Sequence, residues 1–240
     1  MPVDIVARVR VRVLGSTVFE GPDGPVELAA RKRRGILAAL ALEPGATVTP
    51  DRLVDLLWGG DPPPGAHGTM HTYISGLRRS LEPDLAPRAR PTVLVTTDAG
   101  YRLAVERDDV DASWFATEVR RRHRSLAPLA TQLSTGPDAA WPSRGEVVAH
   151  VEALEEALRN WRGTAFADLP DHPDVLAERA SLDELRATAE EDSALGLLAL
   201  GEHAGVLAAT EQATARASLR ERTPPPSSRR VRGCRSARPG

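Results

Sequence analysis

The chain has 240 residues, 41% apolar, 27% charged and 4% aromatic, enough for one or two hydrophobic cores at roughly 100 to 200 residues per domain. No run approaches the roughly 18 apolar residues of a membrane span, and the alternating charges of MPVDIVARVRVRV at 1–13 leave no apolar stretch for an export signal, so a cytoplasmic location is expected. One cysteine, Cys234, and one lysine, Lys32, beside 30 arginines leave no disulfide framework, no cysteine zinc site within one chain and almost no lysine chemistry.

The phosphate-loop, dinucleotide-loop, zinc-protease and serine-hydrolase signatures are all missing, so neither an enzyme nor a cofactor is expected. The net charge of −2 is unevenly spread: residues 1–110 sum to zero, 111–218 to −8 and 219–240 to +6. Two domains and a basic tail fit that division better than one uniform body.

Val9, Val11 and Val13 alternate with Arg8, Arg10 and Arg12, the period-two pattern of a strand with one buried face. The turn-rich GPDGP at 21–25 leads to a second short strand around Val26 to Leu28. Ile36, Leu37, Leu40 and Ala41 keep helical period and stop at Pro44-Gly45. Thr49-Pro50-Asp51 then opens a second helix: Thr49 can cap it, Pro50 fits its first position and Asp51 suits its dipole. Leu53, Val54 and Leu57 form its buried side before Gly59-Gly60 and Pro62 to Pro64 end it.

The third helix, about 66–81, carries Met70, Ile74, Leu77 and Leu81 as one narrow apolar stripe. Opposite stand Gly68, Thr72, Ser75, Gly76 and Arg79, with Tyr73 and Arg78 on the flanks. Such a face suits close approach to another surface, and a helix of this size fits the DNA major groove, where Arg reads guanine edges; taken alone, it equally fits an ordinary solvated face. After the Pro-rich loop at 83–91, Val93-Leu94-Val95 and Tyr101-Arg102-Leu103 flank a turn containing Gly100, which reads as a hairpin. Strands, three helices and a terminal hairpin compose a winged helix-turn-helix.

VRVLG at 11–15, TPDRLVDLLWGGDPP at 49–63, HTYISGLRRSL at 71–81 and GYRL at 100–103 together resemble the Streptomyces antibiotic regulatory protein family of transcriptional activators. The resemblance implies that the third helix reads DNA, with Thr69, Thr72, Tyr73, Ser75, Arg78 and Arg79 as candidate contacts. Trp58 matches a family tryptophan whose indole N–H can reach a phosphate, or it packs the helix end; Thr97 and Arg102 on the wing either meet an adjacent phosphate or the minor groove, or touch nothing. Gly76 departs from the family's usual arginine and Gly68 from a longer polar residue. The lost arginine contact is worth roughly 1 to 3 kcal/mol.

From Asp111 the periodicity is helical: Trp114, Phe115 and Val119, with a polar run Arg120 to Arg124 interrupted by His123, then a loop at 134–145. Val147, Val151, Leu154, Leu158 and Trp161 mark the cleanest amphipathic helix, and further helices are expected over about 173–200 and 202–218. The whole reads as an α+β winged helix-turn-helix (1–108), an all-α domain of tetratricopeptide-like hairpins (109–222) and a disordered basic tail (223–240). LRNWRGTAFADLPD at 158–171 and the stretch 178–209 resemble the family's bacterial transcriptional activator domain. Against that pattern the text after Arg222 reads as a shortened or frame-shifted end, which makes 202–218 the expected weakest element, checkable by hydrogen exchange.

The expected function is sequence-specific activation of transcription, with control of an antibiotic or other secondary-metabolite gene cluster implied by the resemblance. So are binding of double-stranded DNA at direct repeats, pairing as a homodimer there, and recruitment of RNA polymerase. The alternative is a helical-repeat interaction module whose winged helix has lost DNA binding. His67 and His71, with Asp61 nearby, lack a third positioned ligand, so no metal site is expected. Glu190, Glu191 and Asp192 are expected to be solubilising charges.

Overall fold

The computed structural model describes residues 9–86, 88–135, 142–202 and 205. The expected tail at 223–240, nearly all of the expected helix 202–218 and the middle of the loop at 134–145 lie outside the described residues.

Three short strands, β1 (Arg10–Arg12), β2 (Val18–Gly21) and β3 (Gly24–Val26), form an antiparallel sheet in that order. β1 follows the expected alternation, with Val11 fully buried. The second strand of the sequence reading ends at Val26, and Leu28 is buried outside any strand. GPDGP is the turn of a β2–β3 hairpin, with Gly24 at φ 113°.

Helix α1 (Arg31–Ala41), strand β4 (Thr47–Val48), helix α2 (Pro50–Trp58) and helix α3 (Ala66–Leu81) follow, then the wing, β5 (Leu94–Thr97) and β6 (Gly100–Leu103). Thr49 caps α2 as expected, its side chain accepting from the Arg52 amide at 3.2 Å. α3 has no side-chain cap at Gly65, a loss of only a few tenths of a kcal/mol where the capping position is glycine. Met70, Ile74, Leu77 and Leu81 are all buried, and at about 1.5 to 3 kcal/mol per large apolar side chain that burial decides the helix.

Strand β6 lies between β4 and β5, so the wing is joined to the base of α2. Gly100 is the close approach that permits this. At φ 154° it is already unusual for an L-residue, and a Cβ there would collide with the Val48 carbonyl oxygen. Gly100→Ala is expected to cost at least about 2 kcal/mol, read as a lowered urea midpoint.

A short 3-10 helix (Arg107–Asp109) leads to α4 (Asp111–Thr135), α5 (Arg144–Arg159) and α6 (Pro173–Leu200), each of which packs on the other two. α5 begins with a capping box, Ser143 and Glu146 exchanging hydrogen bonds with each other's backbone. Part of the polar run on α4 faces inward. Arg122 bonds Glu118 at 2.6 Å and His150 at 3.1 Å, and His123 lies 2.9 Å from Asp192. Asp192, 7% exposed, thereby joins α6 to α4, and Glu190 pairs within α6 with Arg186 at 3.3 Å; of the three acids expected to be solubilising charges, Glu191 is exposed.

The hydrophobic core is continuous from Val11 to Ala189, across both halves of the chain. The segment after β1 is threaded against the loop after α5: Arg162 and Phe166 amides donate to the carbonyls of Leu14 and Val13 at 2.8 and 2.7 Å. Asp111 accepts the amides of Val13 and Leu14 at 2.6 and 3.3 Å. Burial pushes its carboxyl pKa up, against the pull of those two amides and of Arg162 and Arg12. α2 is tied to the start of α6 by Asp55–His172 at 3.0 Å and by the Arg52–Asp174 ion pair.

Candidate nucleic-acid interface

α3 presents Gly68, Thr69, Thr72, Ser75 and Arg79 to solvent, and none of them is covered by the helical half among the described residues. Thr72 and Ser75 hydroxyls donate back to the carbonyls of Gly68 and His71 at 3.1 and 3.0 Å, and Arg79 Nε to that of Ser75 at 3.5 Å. The two hydroxyls spend their protons on the helix's own backbone and keep oxygen lone pairs for an external donor, while rotation exchanges the backbone bond for an external acceptor. The helical half instead docks on β1, α1 and α2, away from this face.

The other expected contacts are placed differently. Tyr73 is half-buried against the core. Arg78 is turned into the wing, its Nε donating to the Leu94 carbonyl at 2.9 Å and a terminal nitrogen to Thr96 Oγ1 at 2.6 Å, with the guanidinium 5.7 Å from the Tyr101 ring centre. His71 Nδ1 lies 2.7 Å from the Tyr101 hydroxyl. Arg78, His71 and Tyr101 thus fix the angle between helix and wing. On the wing itself Arg102 is exposed, while Thr97 is half-buried and its hydroxyl has no partner.

Trp58 is half-buried on the core with the Lys32 ammonium 4.4 Å over its ring. The same ammonium donates to the Leu57 carbonyl at 2.5 Å, satisfying the end of α2. Burial, then the neighbouring Arg31 charge, lowers the Lys32 pKa. His67 pairs with Asp51 at 2.8 Å, tying the starts of α3 and α2 together.

Gly76 is buried and does not belong to the exposed face. The Arg33 guanidinium lies over it, so the polar-face placement expected from helical period fails because a side chain from another helix covers a residue that has none. Helical period and composition mark neither Arg33 nor Lys32 of RKRR at 31–34 as a contact. Four cations in the first turn of α1 oppose its dipole, at about 0.3 to 1 kcal/mol each. That placement is the available signal that cations here serve contacts outside the helix, as Lys32 and Arg34 do.

Two small antiparallel sheets, a helix-turn-helix with an open third helix and a following helical unit define a winged helix-turn-helix transcription regulator. Residues 23–103 match the model of the transcriptional regulatory protein C-terminal family and residues 129–224 that of the bacterial transcriptional activator domain. The regulatory protein DnrI of Streptomyces peucetius is 31% identical over 88% of this chain and 73% of its own length. The transcriptional regulator RedD of Streptomyces coelicolor is 28% identical over 89% of this chain, which spans 56% of that protein. The solved structure of Mycobacterium tuberculosis EmbR, in complex with a low-affinity phosphopeptide, is 28% identical with a TM-score of 0.70, covering 89% of this chain and 52% of EmbR. The chain belongs to the Streptomyces antibiotic regulatory protein family of DNA-binding transcriptional regulators. Among the described residues no helix is long and apolar enough to cross a membrane.

Proposed function

We propose that the chain is a cytoplasmic, sequence-specific transcriptional activator that lays α3 in the major groove and its wing on the flanking backbone. The open face of α3 carries this reading: Thr69, Thr72, Ser75 and Arg79 are exposed on one side while the apolar stripe is anchored behind them. Arg and hydroxyl side chains on such a face suit base edges and phosphates. Arg102 on β6 suits an adjacent phosphate, and Arg78 acts chiefly by setting the wing.

In this reading residues 1–108 bind DNA and 109–222 form the tetratricopeptide-like activation domain, which engages RNA polymerase. Two copies occupy direct repeats head to tail, each entering the groove about one helical turn from the other. Family membership supports control of a secondary-metabolite cluster. Selection of bound sites from random duplexes tests DNA binding, repeat symmetry and spacing together; an inverted repeat overturns the head-to-tail geometry. No enrichment at all favours a protein-interaction module.

Arg78→Ala is expected to weaken duplex binding more than Arg124→Ala on α4, and also to lower the melting temperature. The loss from removing its bonds to Leu94 and Thr96 is about 1 to 2 kcal/mol. Fluorescence anisotropy with thermal denaturation checks both, and equal binding losses in the two variants would remove α3 and its wing from the reading surface.

A further inference from the structure

We propose that Arg33, on α1, clamps a backbone phosphate at the edge of the α3 face, so that α1 supplies across Gly76 a cation that α3 lacks there. This rests on the DNA-binding reading and adds a contact from outside the helix-turn-helix pair. Of the residues opening α1, Lys32 is spent on the Leu57 carbonyl and the Trp58 ring, and Arg34 on Asp168 and the carbonyls of Leu28 and Ala29. Arg33 has no such assignment.

Its guanidinium lies on the α3 backbone at Gly76, where an added Cβ would stand 2.7 Å from a terminal nitrogen, 2.8 Å from Cζ and 3.0 Å from Nε. Nε is buried without a hydrogen-bond partner, and Arg33 makes no ion pair among the described residues. The residue as a whole is half-buried, not sealed. A cation taken partly out of water and matched to no carboxylate is suited to an anion from outside.

Position decides which anion. Gly76 is one helical turn from Thr72 and three residues from Arg79, so the guanidinium stands at the border of the exposed face. A helix in the major groove has bases before it and phosphates along its flanks, and a cation at the border therefore meets phosphate. The planar guanidinium fork matches that group. Because Arg78 on the opposite flank is committed to the wing, Arg33 and Arg79 are the cations this border offers.

The test is fluorescence anisotropy of the full chain over a salt series, on a random-sequence duplex and on a duplex enriched by site selection. Arg33→Ala is expected to reduce the slope of log K against log salt by about 0.9, the release accompanying one phosphate contact, and to weaken both duplexes by the same factor. Arg33→Lys keeps most of the slope. Gly76→Ala displaces only the far end of a flexible side chain, so it is expected to fold normally, shown by circular dichroism, and to reduce the slope as Arg33→Ala does; the double variant is no worse than either single one. Wild-type slope and affinity in Arg33→Ala overturn the clamp alone, as does a loss confined to the selected duplex. Absence of salt-dependent duplex binding by the unaltered chain overturns the DNA-binding reading and the clamp with it.

Discussion

Replacing Thr72 with glutamate is expected to weaken binding to the selected duplex at least about 100-fold, a change of about 3 kcal/mol, while leaving the fold intact. Thr72 is exposed at the centre of the α3 face, and its hydroxyl donates back to the Gly68 carbonyl. A carboxylate there loses the hydroxyl contact and faces phosphates and acceptor-rich base edges with like charge. Stability should move by no more than about 0.5 kcal/mol, since an exposed substitution away from core and caps rarely does more and glutamate is the better helix former. Ser125→Glu on α4, an exposed residue whose hydroxyl likewise donates back one turn to the Arg121 carbonyl, is the matched control for one added negative charge. Affinity of Thr72→Glu within threefold of the unaltered chain would show that this face does not read DNA.

The elements legible in the sequence are those whose causes are local. Thr49-Pro50-Asp51 announces α2 because cap, ring and dipole all act within one turn, and the stripe Met70, Ile74, Leu77, Leu81 announces α3 because burial follows helical period. β2 and β4 are four and two residues long, too short for alternation to register, and they exist through pairing with β1, β3 and β6. The site divides in the same way. The exposed face of α3 follows from period alone, whereas the turning of Arg78 into the wing depends on Leu94 and Thr96, sixteen and eighteen residues away. The covering of Gly76 depends on an arginine in another helix. The inward turn of Asp192 depends on His123, 69 residues earlier.

The joint between the two halves is the least local feature, and its weakest replacement is at Asp168. This carboxylate is 8% exposed and holds two groups at once, the Thr17 amide at 2.8 Å from a position 151 residues away and Arg34 Nε at 2.9 Å. Asp168→Ala leaves a buried amide and a partly buried guanidinium unmatched. Arg34 is 26% exposed and keeps its bonds to Leu28 and Ala29, so the expected loss is about 3 kcal/mol, at the lower end for breaking a buried pair. Urea denaturation followed by circular dichroism should show a lower midpoint. Because the core runs unbroken from one half to the other, the transition should stay single, with Tyr and Trp fluorescence tracking ellipticity. Two separated transitions in the unaltered chain would mean that the halves fold independently; an unchanged midpoint in Asp168→Ala would mean that the contact between Val13–Gly15 and the 162–167 loop, together with the ion pairs from α2 to the start of α6, holds the two halves together without it.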